Sequence, residues 1–271
     1  MGTEDNNFRT KDISSLNTKK MVETIHIEDI RAYEAVGCSL NQIASVIDKI
    51  LSRLNEGGRV FYVGAGTSGR IASQDVIELE PTYGIENIFI YIMAGGVDAL
   101  SHSREGVEDN RDEARKELEK YNIGMEDVII GISASGRTPF VLEAIKFGNI
   151  SGSYTVGIGN NSNSPLSLEA QDFIFLDTGE EVIQGSTRMK AGTAQKMTLN
   201  IISTSIAVKL GFTDGNLMIH MRAFYNEKLK KRAIKIITQK TGLDEIRARE
   251  VLETVNYDIP KAIERLKNNI A

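Results

Sequence analysis

Five short apolar runs, rich in β-branched and aromatic residues, constrain the fold of this 271-residue chain more than any other feature. They read RVFYVG, NIFIYIMA, DVIIGIS, YTVGIG and DFIFLD, and stretches with helical periodicity separate most of them. Continuous apolar strands that alternate with helices are typical of a parallel sheet covered on both faces. We therefore predict an α/β fold with a doubly wound five-stranded parallel sheet over residues 45–215.

Helical segments flank the predicted sheet domain on both sides. Residues 1–44 are predicted to form an N-terminal helical segment, and a long helix capped by Ser186 or Thr187 is predicted to stop near Gly211. Residues 216–271 are charged and helical, with breaks at Thr241-Gly242 and Tyr257-Asp258. Three short helices of this kind resemble a small UBA-like bundle, and a plain helical tail is the alternative.

Composition excludes several classes of partner. A net charge of −5 leaves no positive excess to track a phosphodiester backbone, so no nucleic-acid partner is expected. The longest apolar stretches are far shorter than the roughly 20 residues of a membrane span, and the polar N-terminus is unlike a signal peptide. A single cysteine, Cys38, fits a reducing cytoplasm, and three scattered histidines with that cysteine predict no metal site.

The run Gly64-Ala-Gly66-Thr-Ser-Gly69 fits the dinucleotide fingerprint GxGxxG. In a dinucleotide-binding fold, an acidic residue about 20 positions further on binds the ribose, at the end of the next strand. That strand ends here in Met-Ala-Gly-Gly, at residues 93–96, and Glu78 and Glu80 come too early. We therefore expect no dinucleotide and no other cofactor.

Two loops in the sequence match each other. VFYVGAGTSGR and VIIGISASGRTP each contain an apolar strand, a loop of small residues with Ser-Gly-Arg, and the start of a helix. Hydroxyl groups and backbone N–H groups at a helix N-terminus bind anions, and parallel strands present such loops at one edge. Serines that only cap helices are the alternative. Two matching loops without a ribose-binding acid favour a compact phosphate ester.

These motifs carry a resemblance to known families. Paired Ser-Gly-Arg loops of this kind resemble the SIS (sugar isomerase) fold, and GAGTSGR, ASGRTPFVLEA and GSTRMKAGTAQK are similar to the bacterial N-acetylmuramic acid 6-phosphate etherases. The resemblance implies removal of D-lactate from N-acetylmuramic acid 6-phosphate, leaving N-acetylglucosamine 6-phosphate, in amino sugar catabolism. It also implies a homodimer that needs no cofactor.

The same resemblance implies two catalytic glutamates. The first matches Glu78 in DVIELEPTYG, where Pro81 is expected to end the helix and leave Glu78 near the negative end of the helix dipole, which suits a general acid. The second matches Glu108 in EGVED, expected to remove the C2 proton, although its surroundings alone predict a solvated charged helix.

The remaining predicted site residues would bind the substrate and its phosphate. They are Gly66, Thr67, Ser68, Ser133, Ser135, Gly136, Arg137, Thr138, Ser186, Thr187 and Lys190.

Two positions depart from the family pattern. Leu79-Glu80 replaces the usual Cys-Pro, which leaves open whether Glu80 substitutes for Glu78 or disturbs it, and Glu180 replaces a usual proline. An aldose–ketose phosphosugar isomerase and a non-enzymatic phosphosugar sensor are the alternative functions.

Overall fold

The structure is a computed structural model that describes residues 2–268, apart from the side chain of Tyr225. The first residue of the predicted N-terminal segment and the last three of the predicted C-terminal region, 269–271, lie outside the described residues. The chain divides into two compact units, which we call the sheet unit (residues 2–76 and 87–202) and the helical unit (77–86 and 203–268). Predicted boundaries near residues 45 and 215 stay predictions.

The sheet unit contains a five-stranded, wholly parallel sheet with the strand order β2-β1-β3-β4-β5. The strands are β1 (Val60–Gly64), β2 (Phe89–Met93), β3 (Val128–Ile132), β4 (Tyr154–Gly159) and β5 (Asp172–Phe175). Every residue of β1, β3 and β4 is buried, as expected of strands covered on both faces. The predicted fold class and all five predicted strands are confirmed.

Helices alternate with these strands. They are α1 (Thr18–Cys38), α2 (Leu40–Asn55), α3 (Gly66–Tyr83), α4 (Asp98–Ser101), α5 (Arg111–Glu119), α6 (Pro139–Ser151), α7 (Pro165–Glu169) and α8 (Lys190–Lys209). Short 3-10 turns lie at Ile13–Ser15 and Val107–Asp109. One apolar core lies between α5, α6 and the sheet, with Phe61, Ile129 and Phe140 fully buried in it.

The glycine run after β1 has a structural explanation. A Cβ atom at Gly69 would lie 2.8 Å from the carbonyl oxygen of Gly64, and one at Gly64 would lie 2.8 Å from the nitrogen of Gly69. Gly66 has φ +53, in the left-handed region that glycine adopts without strain. The first and last glycines therefore let α3 begin directly against the end of β1.

Helix α8 begins later than predicted. Its first residue is Lys190, whereas Ser186 and Thr187 lie in the turns before it, so the predicted caps were wrong. The buried carboxylate of Glu181 takes that place by accepting hydrogen bonds from the backbone N–H groups of Lys190 (3.0 Å) and Ala191 (2.9 Å). An acceptor nine residues upstream satisfies these amides, which local sequence rules do not anticipate.

The predicted end of α3 at Pro81 was also wrong. The helix continues through Pro81 to Tyr83, and the N–H of Gly84 (φ +68) donates to the carbonyl of Glu80 at 2.8 Å. A left-handed glycine just after the last turn is a common helix stop, and Pro81 removes only one hydrogen bond so close to the end.

The helical unit has a core of its own. It contains α9 (Glu227–Thr241), α10 (Glu245–Glu253) and α11 (Ile259–Asn268), a 3-10 turn at Ala223–Tyr225, and a two-stranded antiparallel pair, β6 (Thr213–Asp214) and β7 (Leu217–Met218). Ile237, Ala248 and Leu252 are fully buried in this core. The predicted C-terminal helical bundle is confirmed. No helix within residues 2–268 is long and apolar enough to cross a membrane.

Candidate active site

The two matching loops meet at one cavity of the sheet unit. Strands β1 and β3 are neighbours in the sheet, so the loops that follow them, residues 65–68 and 133–138, emerge side by side. They line a cavity of about 360 Å³. Seven hydroxyl-bearing residues line it: Thr67, Ser68, Ser103, Ser133, Ser135, Thr138 and Thr187. Four charged residues line it as well: Glu4, Arg104, Glu105 and Glu108.

Hydroxyl groups of the second loop are linked to one another. The Oγ of Ser133 lies 2.8 Å from Oγ1 of Thr138 and accepts a hydrogen bond from the N–H of Gly136 at 3.0 Å. The Oγ of Ser135 accepts from the N–H of Arg137 at 3.2 Å. These bonds fix the hydroxyl positions before any ligand arrives, so little side-chain freedom is lost on binding.

The first loop opens directly into α3. Gly66 is the first residue of that helix, so the N–H groups of its first turn have no partner within the helix and carry the positive end of its dipole. The hydroxyl of Ser68 donates to Oε1 of Gln195 at 2.9 Å. Backbone amides and hydroxyls that converge in this way suit a phosphate group.

Glu108, the predicted base, lines the cavity. It sits exposed in the Val107–Asp109 turn, which replaces the N-terminal part of the charged helix that periodicity alone predicts. The side chain of Val107 packs beneath Gly95, and the N–H of Gly95 donates to Oε1 of Glu113 at 3.0 Å. The turn that carries Glu108 is therefore tied to the end of β2.

Glu78 lies on the part of α3 that belongs to the helical unit. Its side chain is exposed, and the neighbouring Leu79 is buried. Glu108 and the cavity belong to the sheet unit, so a catalytic pair of Glu78 and Glu108 stays a prediction.

The structure bears on whether Glu80 disturbs Glu78. Oε1 of Glu80 pairs with Nη1 of Arg222 at 3.2 Å, and the same guanidinium contacts Glu86. The charge of Glu80 is therefore compensated within the helical unit, which reduces its repulsion of a neighbouring carboxylate.

Lys190 does not line the cavity, contrary to prediction. It is fully buried, and its Nζ lies 2.7 Å from Oε2 of Glu28 on α1. Nε of Arg9 binds the other oxygen of Glu28 at 2.6 Å, and its Nη2 lies 3.2 Å from Glu180, the residue at the usual proline position. A long side chain at the start of a helix is free to point either way, and here the buried carboxylate attracts it.

Burial acts to raise the pKa of Glu28, but hydrogen bonds from Arg9, Lys190 and Asn7 outweigh it and lower this pKa to about 2. At Glu181, burial is the largest influence and raises the pKa above its usual value, although two backbone amides and Lys190 oppose it. This group of charges supports the start of α8 and does not line the cavity.

Three further predicted site residues do not line the cavity. Arg137 is exposed, Ser186 is half-buried in the turn before α8, and Gly136 packs against Ser164, leaving no room for a Cβ. Gly136 still shapes the second loop through its φ of +64.

Sequence reasoning also missed four polar or charged lining residues. Ser103, Arg104 and Glu105 come from the loop before the Glu108 turn, and Glu4 comes from the N-terminal segment. Glu105 opens the EGVED motif but has no predicted role there, and no motif marks the other three, because only the folded chain brings these distant segments to the cavity. Within residues 2–268 no three His, Cys, Asp or Glu side chains are grouped as a metal site requires.

The fold and the cavity define this chain as an α/β protein whose hydroxyl-lined cavity suits a phosphate group. Comparisons with known proteins agree with that class. Residues 42–149 match the family model described as the glucokinase regulatory protein N-terminal SIS domain. Among solved structures, the phosphoheptose isomerases from Neisseria gonorrhoeae and Francisella tularensis each superpose with a TM-score of 0.51 at 17% identity, covering 71% and 72% of this chain and 100% of theirs. These likenesses show that the sheet unit has the SIS fold.

Sequence relatives narrow the class to one family. The chain is 43% identical to the N-acetylmuramic acid 6-phosphate etherase of Clostridium beijerinckii, over 96% of this chain and 86% of the relative. It is also 43% identical to the protein of the same name from Pseudothermotoga lettingae, over 96% of this chain and 87% of the relative. This chain belongs to the N-acetylmuramic acid 6-phosphate etherase family.

Proposed function

We propose that this protein cleaves the lactyl ether of N-acetylmuramic acid 6-phosphate to give N-acetylglucosamine 6-phosphate and D-lactate, as a carbon–oxygen lyase. Family membership supports the reaction. The observation that carries the proposal is one cavity in which hydroxyl-rich loops and the carboxylate of Glu108 face the same space. Proton removal from a bound phosphosugar needs both features: an anion site that holds the phosphate and a carboxylate that accepts the proton.

The phosphate is proposed to bind between the two loops. Thr67, Ser135 and Thr138 supply hydroxyl donors there, and the first turn of α3, which includes Ser68, adds backbone N–H groups and its dipole. No metal ion is required by this arrangement, because amides and hydroxyls alone commonly satisfy a phosphate at a helix N-terminus.

Chemistry at the sugar is proposed to begin at C2. In the open-chain sugar the aldehyde at C1 makes the C2 hydrogen acidic, and Glu108 removes it as the general base. The electrons form a C2–C3 double bond while the C3–O bond to lactate breaks, and Glu78 protonates the departing oxygen. Water then adds at C3, and a proton returns to C2, which yields N-acetylglucosamine 6-phosphate and D-lactate.

Two other functions use the same fold. An isomerase would move the C2 proton without breaking an ether, and a sensor would bind the phosphosugar without chemistry. Similarity to etherases over 96% of this chain favours the lyase over both, and Glu108 at the cavity beside the hydroxyl loops favours an enzyme over a sensor.

The test is D-lactate release from N-acetylmuramic acid 6-phosphate by the wild type, Glu108→Gln and Glu78→Gln. Loss of a general acid or base commonly slows a reaction about 10²–10⁴-fold, and we expect both variants to fall by at least about 100-fold. Asp109→Asn is the matched control, because Asp109 lies in the same turn but does not line the cavity. Full activity of Glu108→Gln would contradict the assignment.

Isotope exchange separates the two glutamates. In D₂O, the base exchanges the C2 hydrogen of N-acetylglucosamine 6-phosphate, whereas the acid is needed only to break or form the C3–O bond. We expect Glu108→Gln to lose this exchange and Glu78→Gln to retain it, as followed by proton NMR. The opposite pattern would interchange the two roles.

We also propose that the protein acts as a cytoplasmic homodimer on a small sugar phosphate. The family resemblance and the single cysteine support this proposal. Analytical ultracentrifugation tests the dimer, and cell fractionation tests the location.

A further inference from the structure

The N-terminal segment, residues 2–10, is a fixed part of the sheet unit. Thr3, Asn7 and Thr10 are buried, although the residues between them are exposed. The Oγ1 of Thr10 donates to the carbonyl of Val182 at 2.8 Å, and Nδ2 of Asn7 donates to Oε2 of Glu28 at 2.9 Å. Burial of three spaced polar side chains, with hydrogen bonds to distant parts of the chain, shows that this segment is held in one position.

Its first residues are tied directly to the wall of the cavity. Nδ2 of Asn161 donates to Oγ1 of Thr3 at 3.3 Å and to the carbonyl of Ala134 at 2.9 Å, and Ala134 belongs to the second hydroxyl loop. The carbonyl of Thr3 accepts from the N–H of Gly185 at 3.3 Å. Glu4, the next residue, is thereby held between the second loop and the turns before α8.

The side chain of Glu4 lines the cavity. Its backbone carbonyl accepts from Nε2 of Gln184 at 2.9 Å, whereas its carboxylate makes no hydrogen bond or ion pair with the described part of the chain. A Cβ at Gly185 would lie 2.9 Å from Oε2 of Glu4, so glycine at that position leaves room for the carboxylate.

Charge decides which part of a phosphosugar this carboxylate would face. A phosphate placed next to Glu4 would be repelled, and the phosphate is already provided for by hydroxyls and helix amides. A carboxylate is an acceptor with room for several hydrogen bonds, and the sugar portion of the substrate offers hydroxyl and acetamido N–H donors.

We propose that Glu4 is a substrate-binding residue that accepts a hydrogen bond from the sugar portion, a hydroxyl or the acetamido N–H, and sets specificity for the sugar without binding the phosphate. This inference rests on the proposed function for the identity of the sugar phosphate. The N-terminal segment is then a further wall of the active site, in addition to the two hydroxyl loops and the loop that carries Glu108.

Calorimetry with two probes tests the proposal. N-acetylglucosamine 6-phosphate reports the sugar and phosphate together, and inorganic phosphate reports the anion site alone. A hydrogen bond to a charged group contributes enough that Glu4→Gln and Glu4→Ala should each weaken binding of the sugar phosphate by about tenfold or more. Binding of inorganic phosphate should be unchanged or tighter, because a negative charge has been removed.

Asp5→Asn is the matched control. Asp5 lies on the same segment and carries the same charge, but it does not line the cavity, and an asparagine oxygen can still accept from the N–H of Gly2. Both affinities should equal those of the wild type. An equal loss of affinity for the sugar phosphate and for inorganic phosphate in Glu4→Gln would overturn the proposal. An unchanged affinity for the sugar phosphate would overturn it as well.

Lactate release by the wild type tests the proposed function independently. The ratio of the affinities for N-acetylglucosamine 6-phosphate and inorganic phosphate tests the role of Glu4. A wild type that binds the sugar phosphate but releases no lactate would overturn the proposed function and leave the Glu4 result standing. A wild type that does not bind N-acetylglucosamine 6-phosphate would overturn both.

Discussion

Lys190 belongs to a group of buried charges that links the N-terminal segment to the start of α8. Its ammonium is fully buried against Glu28, and Arg9 binds the same carboxylate. Removing one partner of a buried ion pair leaves the other charge uncompensated, which costs about 3–5 kcal/mol. The residue therefore acts on folding, and its effect on the substrate site is indirect.

We expect Lys190→Met to lower the free energy of unfolding by about 3 kcal/mol, the lower end of that range, because Arg9 still compensates Glu28. Urea denaturation measures it. Lys19→Met is the control, since Lys19 is exposed and its ion pair with Glu23 spans 3.9 Å, so a change within about 0.5 kcal/mol is expected. If Lys190→Met has normal stability but no longer binds the sugar phosphate, Lys190 is a substrate-binding residue after all.

The pH dependence of stability follows from Glu28. Its folded-state pKa of about 2 lies below the ordinary 4.5, so its contribution is present above pH 4.5 and is lost as the pH falls toward 2. That contribution amounts to roughly 3 kcal/mol at most. We expect Glu28→Gln to be less stable than the wild type at pH 6, with the gap narrowing between pH 5 and pH 2 in urea titrations. A gap that does not change with pH would contradict the role of the ionised carboxylate.

At the scale of elements, β1 and α3 are joined through a contact between two glycines. Gly64 and Gly69 approach so closely that a side chain on either would meet backbone atoms of the other. The glycine pattern therefore serves strand–helix packing here, as it does in dinucleotide-binding folds, while the ligand differs. A motif of three glycines indicates the geometry of the turn, whereas the residues between the glycines determine which ligand binds.

We expect Gly69→Ala to destabilise the protein by about 1–3 kcal/mol, because the new methyl group would lie 2.8 Å from the oxygen of Gly64. It should also weaken phosphate binding, since Thr67 and Ser68 lie in the displaced turn. Gly37→Ala is the control: Gly37 lies exposed in α1 with nothing within 4 Å of an added Cβ, and the change should stabilise by about 0.5–1 kcal/mol. Thermal and urea unfolding measure both variants, and equal effects would refute the contact.

For the whole molecule, the two units have separate apolar cores. The sheet unit is built around residues such as Phe61 and Phe140, and the helical unit around Ile237 and Leu252. Compact units with their own cores often open locally with different free energies.

We expect Leu252→Ala to lower the local stability of the helical unit by about 2–5 kcal/mol, because it removes a fully buried side chain. Hydrogen exchange should accelerate in α9, α10 and α11 and stay slow in β1, β3 and β4. Ile246→Ala, on the same helix but 71% exposed, should leave both patterns unchanged. Acceleration over the whole chain in Leu252→Ala would show that the two units unfold together.

The sequence by itself determined the five parallel strands, the C-terminal helices and the two hydroxyl-rich loops. These features depend on local patterns, because a strand buried on both faces must be apolar throughout and a helix must repeat its apolar face. The prediction for Glu108 came only from the family resemblance of EGVED, because periodicity around that residue predicts a continuous helix.

Only the tertiary structure decided which polar groups meet. It assigned Lys190 to Glu28, gave Glu181 the start of α8, and brought Glu4 to a cavity formed by residues up to 183 positions further along the chain. Ion pairs, distant caps and cavity walls depend on which segments the folded backbone places within a few ångströms of one another. Such contacts produce no repeating pattern in the sequence, because each of them occurs only once.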